Sequence, residues 1–255
     1  MAQFCRFEVD GAAHYAQLRD DQVEAMTGPP WAGGQPTGKR TALAGVRLLA
    51  PCEPAKIVCL GRNYREHAAE LGHEVPREPL IFLKPPSAII GPDEAIVYPA
   101  ISQRVDYEGE LALVIGRRCR GLSSREDALA CVFGYTCLND VTARDLQRAD
   151  VQFTRAKSFD TFCPLGPVIA TELDPANLIL ETRMNGVERQ RASIGAMIFP
   201  VDAIIRFVAS VMTLAPGDVI ATGTPAGVGP LQVGDVVEVA IAGIGRLRNP
   251  VVAAS

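Results

Sequence analysis

Two glutamates separated by one glycine, in the run Val105-Asp106-Tyr107-Glu108-Gly109-Glu110-Leu111, open the apolar stretch Leu111-Ala112-Leu113-Val114-Ile115. That stretch reads as a buried β-strand, in which side chains at i and i+2 share a face. Glu108 and Glu110 then present two carboxylates side by side, where burial and mutual repulsion call for a cation between them. Asp140 ends a second strand-like run, Val132 to Asn139, and from there an acid can reach a carboxylate pair on a neighbouring strand. Three carboxylates completed by water suit Mg²⁺ or Mn²⁺, and Ca²⁺ if the cage is loose. No thiolate or clustered imidazole accompanies them, which argues against zinc. Spacing alone leaves a metal site and three unrelated surface acids equally open.

A second group has acid–base character. Asn63-Tyr64-Arg65-Glu66 has the form of a capping box, with Asn63 as N-cap, and Gly72 is placed to end a helix over about 64–71. His67 and Glu70 lie three apart on that helix, so a carboxylate can orient the imidazole as a general base; the alternative is an ordinary helical surface pair. Lys157 follows Asp140 among polar residues, and Arg144 and Gln147 project together at i and i+3. Near a metal these groups could hold a substrate carboxylate and stabilise a developing enolate; otherwise they are surface cations. Lys84 follows an apolar strand and receives no role. The run Thr222-Gly223-Thr224-Pro225-Ala226-Gly227-Val228-Gly229 lacks the Gly-Lys-Ser/Thr ending of a P-loop. It reads as a turn offering backbone amides and the Thr224 hydroxyl to a small carboxylate. No G-x-S-x-G elbow supports a serine hydrolase.

The elements that must position these groups are mixed. Residues 3–18 predict a hairpin turning at Asp10-Gly11, residues 28–38 (GPPWAGGQPTG) a linker or long loop, and residues 1–50 a small β-rich leader before a main domain over 51–255. Strands are expected at 56–60, 79–84, 88–91, 108–116, 132–139, 165–170, 177–184, 218–222 and 235–241. Helices are expected at 200–214, from its apolar periodicity, and after the capping residue Ser124. Without regular βα alternation the fold class is α+β.

Composition sets the outer limits. A chain of 255 residues, 48% hydrophobic and 21% charged, can bury a core without disulfides or a structural metal. Its net charge of −4 gives no reason to expect nucleic acid or an anionic membrane as partner. Seven cysteines form no C-x-x-C pair and sit mostly in apolar runs, so they read as structural thiols in a reduced, cytoplasmic setting. No signal peptide is recognised at the N-terminus, and no apolar run approaches the ~20 residues of a membrane helix.

Taken in order, six segments resemble the fumarylacetoacetate hydrolase family: Gly61-Arg62-Asn63-Tyr64-x-x-His67, Phe82-Leu83-Lys84-Pro85, Tyr107-Glu108-Gly109-Glu110-Leu111, Asn139-Asp140-x-x-x-Arg144-Asp145-x-Gln147, Ala156-Lys157-Ser158-Phe159-Asp160 and Thr222-Gly223-Thr224-Pro225-x-Gly227-Val228-Gly229. Each is weak alone; their order is specific, and it spans about residues 51–245. The resemblance implies a mixed β-sandwich roll with flanking helices, usually a homodimer. It implies Glu108, Glu110 and Asp140 as divalent-metal ligands, with Mg²⁺ expected. It implies His67 and Glu70 as a water-activating dyad on a segment that closes over substrate, with Lys157, Gln147, Arg144 and Thr224 around substrate and oxyanion. The expected activity is metal-assisted C–C hydrolysis of a β-diketo acid of acylpyruvate or fumarylpyruvate type through a stabilised enolate. The alternative is isomerisation or decarboxylation of hydroxymuconate-type acids or oxaloacetate. The leader is far shorter than the N-terminal domain of the eponymous hydrolase and is similar instead to the smaller bacterial relatives.

Overall fold

The strand Gly109–Ile115 is buried along its whole length, and its residues alternate between two apolar clusters. Leu111, Leu113 and Ile115 enter one cluster; Ala112 and Val114 enter the other. A strand covered on both faces must lie inside a sheet, and the computed structural model, which describes residues 1–72 and 74–254, places it there. The main sheet has twelve strands. Its continuous path runs Pro36–Ala42, Gln22–Met26, Ala12–Arg19, Gln3–Val9, Cys163–Ala170, Val132–Asn139, Gly109–Ile115, Val219–Ala221, Ile57–Gly61, Leu80–Lys84; Arg47–Leu49 and Ile89–Ile90 pair alongside.

A five-stranded sheet, in the order Val187–Ser193, Ile179–Met184, Val236–Ile241, Gly245–Ala253, Ile96–Tyr98, packs against it. Leu180, Val239, Ile241 and Leu247 of this sheet share a core with Leu111, Leu113 and Ile115 of the first. The helix Val201–Val211 closes that core through Val201, Ile204, Ile205 and Val208, all buried. A third, three-stranded sheet joins Thr142–Ala143, Val105–Tyr107 and Gly229–Pro230 beside the start of Gly109–Ile115. The architecture is α+β, a mixed β-sandwich roll with few helices.

All nine expected strands are present, some shortened, and the hairpin turns at Asp10-Gly11 with both residues in the left-handed region (φ 50° and 75°). Ser124 caps its helix by accepting the Asp127 N–H at 3.0 Å. Three expectations need correction. Residues 28–38 are not a linker: Trp31 packs edge-on against Tyr15 and Phe133, at 5.5 and 5.6 Å, and the strand Pro36–Ala42 begins within the segment. Asn63 does not cap the helix Arg65–Glu70; Tyr64 occupies that position without a side-chain cap. The Val201 helix ends at Val211 rather than 214, because Leu214 is drawn into a backbone bridge with Cys119. No helix among the described residues is long and apolar enough to cross a membrane.

Candidate metal centre and active site

Glu108 stands at the junction of Val105–Tyr107 and Gly109–Ile115, with Glu110 two residues on. The glycine between them is a packing requirement. A Cβ on Gly109 would fall 2.0 Å from Thr182 Oγ1 and 3.2 Å from Gln190 Oε1, groups of the five-stranded sheet. Asp140 follows the neighbouring strand, and its backbone N–H donates to the Glu108 carbonyl at 2.9 Å. One carboxylate oxygen from each of Glu108, Glu110 and Asp140 lies within 4.8 Å of the others, and all three residues are buried.

Around them buried charges alternate in sign. Arg144 Nε donates to Asp106 Oδ2 at 2.9 Å, and its Nη2 to Glu108 Oε1. Lys157 Nζ bridges Glu108 Oε2 at 2.9 Å and Asp140 Oδ2 at 2.6 Å. Lys84 Nζ holds Asp140 Oδ1 at 2.5 Å and the Val141 carbonyl at 3.1 Å. Asp106, Arg144, Glu108, Lys157, Asp140 and Lys84 thus form a row of three acids and three bases, every member buried. Burial alone would raise the Glu108 carboxyl, but Lys157 and then Arg144 hold it below the ordinary range. Burial would lower Lys157, yet Asp140 and Glu108 raise it, so the ammonium form is secured.

Glu110 is the exception. Its Oε2 accepts the Gly223 N–H at 2.7 Å, and no described Lys, Arg or His lies in ion-pair contact with it. Burial, then the Asp140 and Glu108 charges, push its carboxyl well above the usual range. An all-oxygen donor set with one buried carboxylate lacking a cation fits a hard divalent ion. Glu108, Glu110 and Asp140 are the residues that would hold it.

The Gly-rich loop lies along the E-x-E strand and reaches the cavity described below at Thr224. Thr222 N–H and Oγ1 both donate to the Leu111 carbonyl, Gly223 N–H reaches Glu110, and Thr224 Oγ1 donates to the Gly109 carbonyl at 2.8 Å. Buried Gln190 clamps the same place: its Oε1 accepts the Gly109 N–H at 3.0 Å, and its Nε2 donates to Thr224 Oγ1 and the Pro225 carbonyl, both at 2.8 Å. Thr224 therefore spends its hydroxyl on Gly109 of the strand and on Gln190. Arg144 is likewise committed, its Nη1 donating to Gln147 Oε1 at 2.6 Å.

His67 is buried on the short helix, its Nδ1 3.2 Å from Glu70 Oε2. Glu70 is itself fixed by the Gly227 N–H, which donates to Oε1 at 3.0 Å and to Oε2 at 3.3 Å. Tyr107 holds Gly227 from the other side through its carbonyl, at 3.0 Å. The helix is tied down by Asn63, whose Nδ2 donates to the Thr222 and Phe199 carbonyls at 2.7 and 3.1 Å while its Oδ1 accepts the Phe199 N–H at 2.8 Å.

A cavity of about 350 Å³ joins these parts, lined by His67, Glu108, Glu110, Lys157, Gln147 and Thr224 among others. Arg62 and Arg148 also line it, and neither has a carboxylate within ion-pair distance among the described residues. All nine candidate site residues are thus brought to one place. Sequence reasoning missed Gln190, which lies in the polar run Val187–Ser193 with no motif around it. It gave no role to Lys84, Arg62 or Arg148 and read Asn63 as a cap, although Arg62, Asn63 and Lys84 lie in two of the six family-like segments.

Residues 56–252 match the family described as Fumarylacetoacetate (FAA) hydrolase C-terminal, and residues 3–51 match one described as Rv2993c-like, N-terminal. The chain is 44% identical over 225 residues to the oxaloacetate tautomerase YisK of Bacillus subtilis, an alignment covering 82% of this chain and 74% of that one. It superimposes on a crystal structure named 2-hydroxyhepta-2,4-diene-1,7-dioate isomerase, from Mycobacterium marinum, with TM-score 0.93 and 44% identity over all of both chains. Maleylpyruvate hydrolase from Sphingobium sp. SYK-6, solved with manganese(II) and pyruvate, superimposes with TM-score 0.82 and 32% identity over 99% of this chain and all of that one. The match over most of the chain, together with the acid triad and the braced histidine, makes this protein a member of the fumarylacetoacetate hydrolase family.

Proposed function

We propose that the protein moves a proton at the carbon beside the 2-oxo group of a small 2-oxo carboxylic acid, interconverting keto and enol or double-bond isomers. The observation that carries this reading is His67, braced by Glu70 and lining the same cavity as the acid triad and Lys157. With Nδ1 turned to Glu70, Nε2 is the nitrogen left to accept a proton from substrate carbon and to return it. The Gly227 N–H fixes the Glu70 carboxylate, so the imidazole is oriented before substrate arrives. Lys157, kept as an ammonium by Glu108 and Asp140, supplies a positive charge where the 2-oxo oxygen gains negative charge. Mg²⁺ or Mn²⁺ on Glu108, Glu110 and Asp140 would act as a Lewis acid and as an anchor for the 2-oxo acid end.

The likeness to an oxaloacetate tautomerase and to a dienedioate isomerase, both at 44% identity, supports proton transfer over bond cleavage. A second reading is C–C hydrolysis of a β-diketo acid, favoured by the likeness to maleylpyruvate hydrolase. There His67 takes its proton from water, hydroxide adds to the distal carbonyl, and the carbon left when the bond breaks is reprotonated. The test is to give the Mg²⁺-treated protein oxaloacetate enol and acetylpyruvate in parallel, following enol absorbance and identifying products by NMR, with EDTA controls. EDTA-sensitive enol–keto exchange without fragments supports the proton-transfer reading. Acetate and pyruvate from acetylpyruvate would replace it with hydrolysis.

A further inference from the structure

Around the acid triad, positive charge is spent: Lys84, Lys157 and Arg144 each serve buried carboxylates. Arg62 and Arg148 are different. Both line the cavity, and among the described residues neither is paired with an acid. Arg62 is half-buried, on the segment between the strand Ile57–Gly61 and the helix carrying His67; Arg148 sits exposed at the rim on the helix Arg144–Ala149.

Arg62 also holds a backbone conformation that disfavours any side chain, with φ at 59°. It is locked there from both sides. Gly61 is paired with Leu80 across the sheet edge, and Asn63 is held by its three side-chain hydrogen bonds. Glycine would adopt this geometry at no steric cost, so a long cationic side chain here sacrifices stability for its direction. An unpaired guanidinium on a strained backbone, lining a cavity whose inner end on this reading takes one carboxylate, is arranged to meet a second anion.

We propose that Arg62 and Arg148 form a second anion subsite, which selects 2-oxo dicarboxylic acids by holding the carboxylate distal to the 2-oxo acid end. This inference rests on the 2-oxo acid reading above and narrows it to dianionic substrates. The test compares oxaloacetate with its 4-methyl ester, which lacks only the distal charge. Enol–keto exchange rates and ligand-induced thermal shifts are measured for the Mg²⁺-treated wild-type protein, Arg62→Gly, Arg148→Ala and the double variant.

The expected result is a wild-type kcat/KM ratio of diacid to ester of about ten or more. Each single variant should lower that ratio by about tenfold, as befits loss of a charge-assisted hydrogen bond, and the double variant should bring it to about one. Arg62→Gly should keep or raise Tm, since it relieves the left-handed backbone, which separates lost recognition from lost folding. A discriminating wild type whose ratio survives both substitutions would overturn the assignment to these arginines. A wild type that handles both compounds equally would overturn the subsite and leave the 2-oxo acid reading standing. Neither turnover nor thermal shift with either compound would overturn both.

Discussion

At the scale of single residues the site is governed by charge order. Six buried ionic groups alternate in sign from Asp106 to Lys84, and Glu110 stands outside the row, among the described residues hydrogen-bonded to the Gly223 N–H and to no cation. His67 enters at another level, as the proposed base, its imidazole oriented by Glu70 and, through Glu70, by Gly227. His67→Ala should lower turnover of a 2-oxo acid substrate by about two to four orders of magnitude while Mn²⁺ affinity, read by EPR, stays within about twofold. Unchanged turnover would remove His67 from the mechanism. Gln190 acts at one remove, fixing Gly109 between the two glutamates and Thr224 beside them. Gln190→Leu should weaken Mn²⁺ binding by about 10- to 100-fold with the circular dichroism spectrum retained; undiminished affinity would make Gln190 a packing residue only. The triad, the His–Glu pair and Lys157 were picked out in sequence by the order of the six segments that hold them, since each segment is weak alone. Gln190 was not, since its partners are more than thirty residues away on other elements and its neighbours are ordinary polar strand residues.

At the scale of elements, the E-x-E strand and the loop 222–229 form a zipper in which 222 faces 111, 223 faces 110 and 224 faces 109. The short helix Arg65–Glu70 has six residues and cannot persist on its own. Its place is set by Asn63, which reaches residues 199 and 222 rather than its own helix. Asn63→Ala should therefore cost about 2–4 kcal/mol, more than a lost cap, because buried backbone groups lose their partners. Urea unfolding measures this, and a loss under about 1 kcal/mol would reduce Asn63 to a surface contact. Ser124 and Asn63 look alike in sequence, both polar residues ahead of a short helix. Only Ser124 caps, because nothing distant competes for its hydroxyl, and that competition is a tertiary fact.

At the scale of the whole molecule, the leader is continuous with the rest. Gln3–Val9 pairs with Cys163–Ala170, and Cys5, Phe7, Ala16 and Val23 enter the same core as Leu111 and Leu113. Removing residues 1–50 should leave residues 51–255 aggregated or expanded by size-exclusion chromatography, since an inner strand becomes an edge and a core face opens. A monodisperse fragment with an intact near-ultraviolet spectrum would make the leader an independent appendage. The turn at Asp10-Gly11 was readable from local residues alone, whereas Pro36–Ala42 was not, being an exposed edge strand without apolar alternation.

One feature of the large sheet governs how the chain is born. The strand Val219–Ala221 lies between Gly109–Ile115 and Ile57–Gly61, parallel to the latter. Two strands made early must therefore wait, with facing edges unpaired, until residue 221 has left the ribosome. The Glu110 carboxylate waits with them for Gly223. Non-local closure of this kind is slow and exposes aggregation-prone edges while it is pending. The same insertion that seals the sheet lays the Gly-rich loop along the acid pair, so the candidate site and the last-closed seam of the large sheet mature together. A nascent chain halted before that point would carry most of the candidate catalytic residues and no active site.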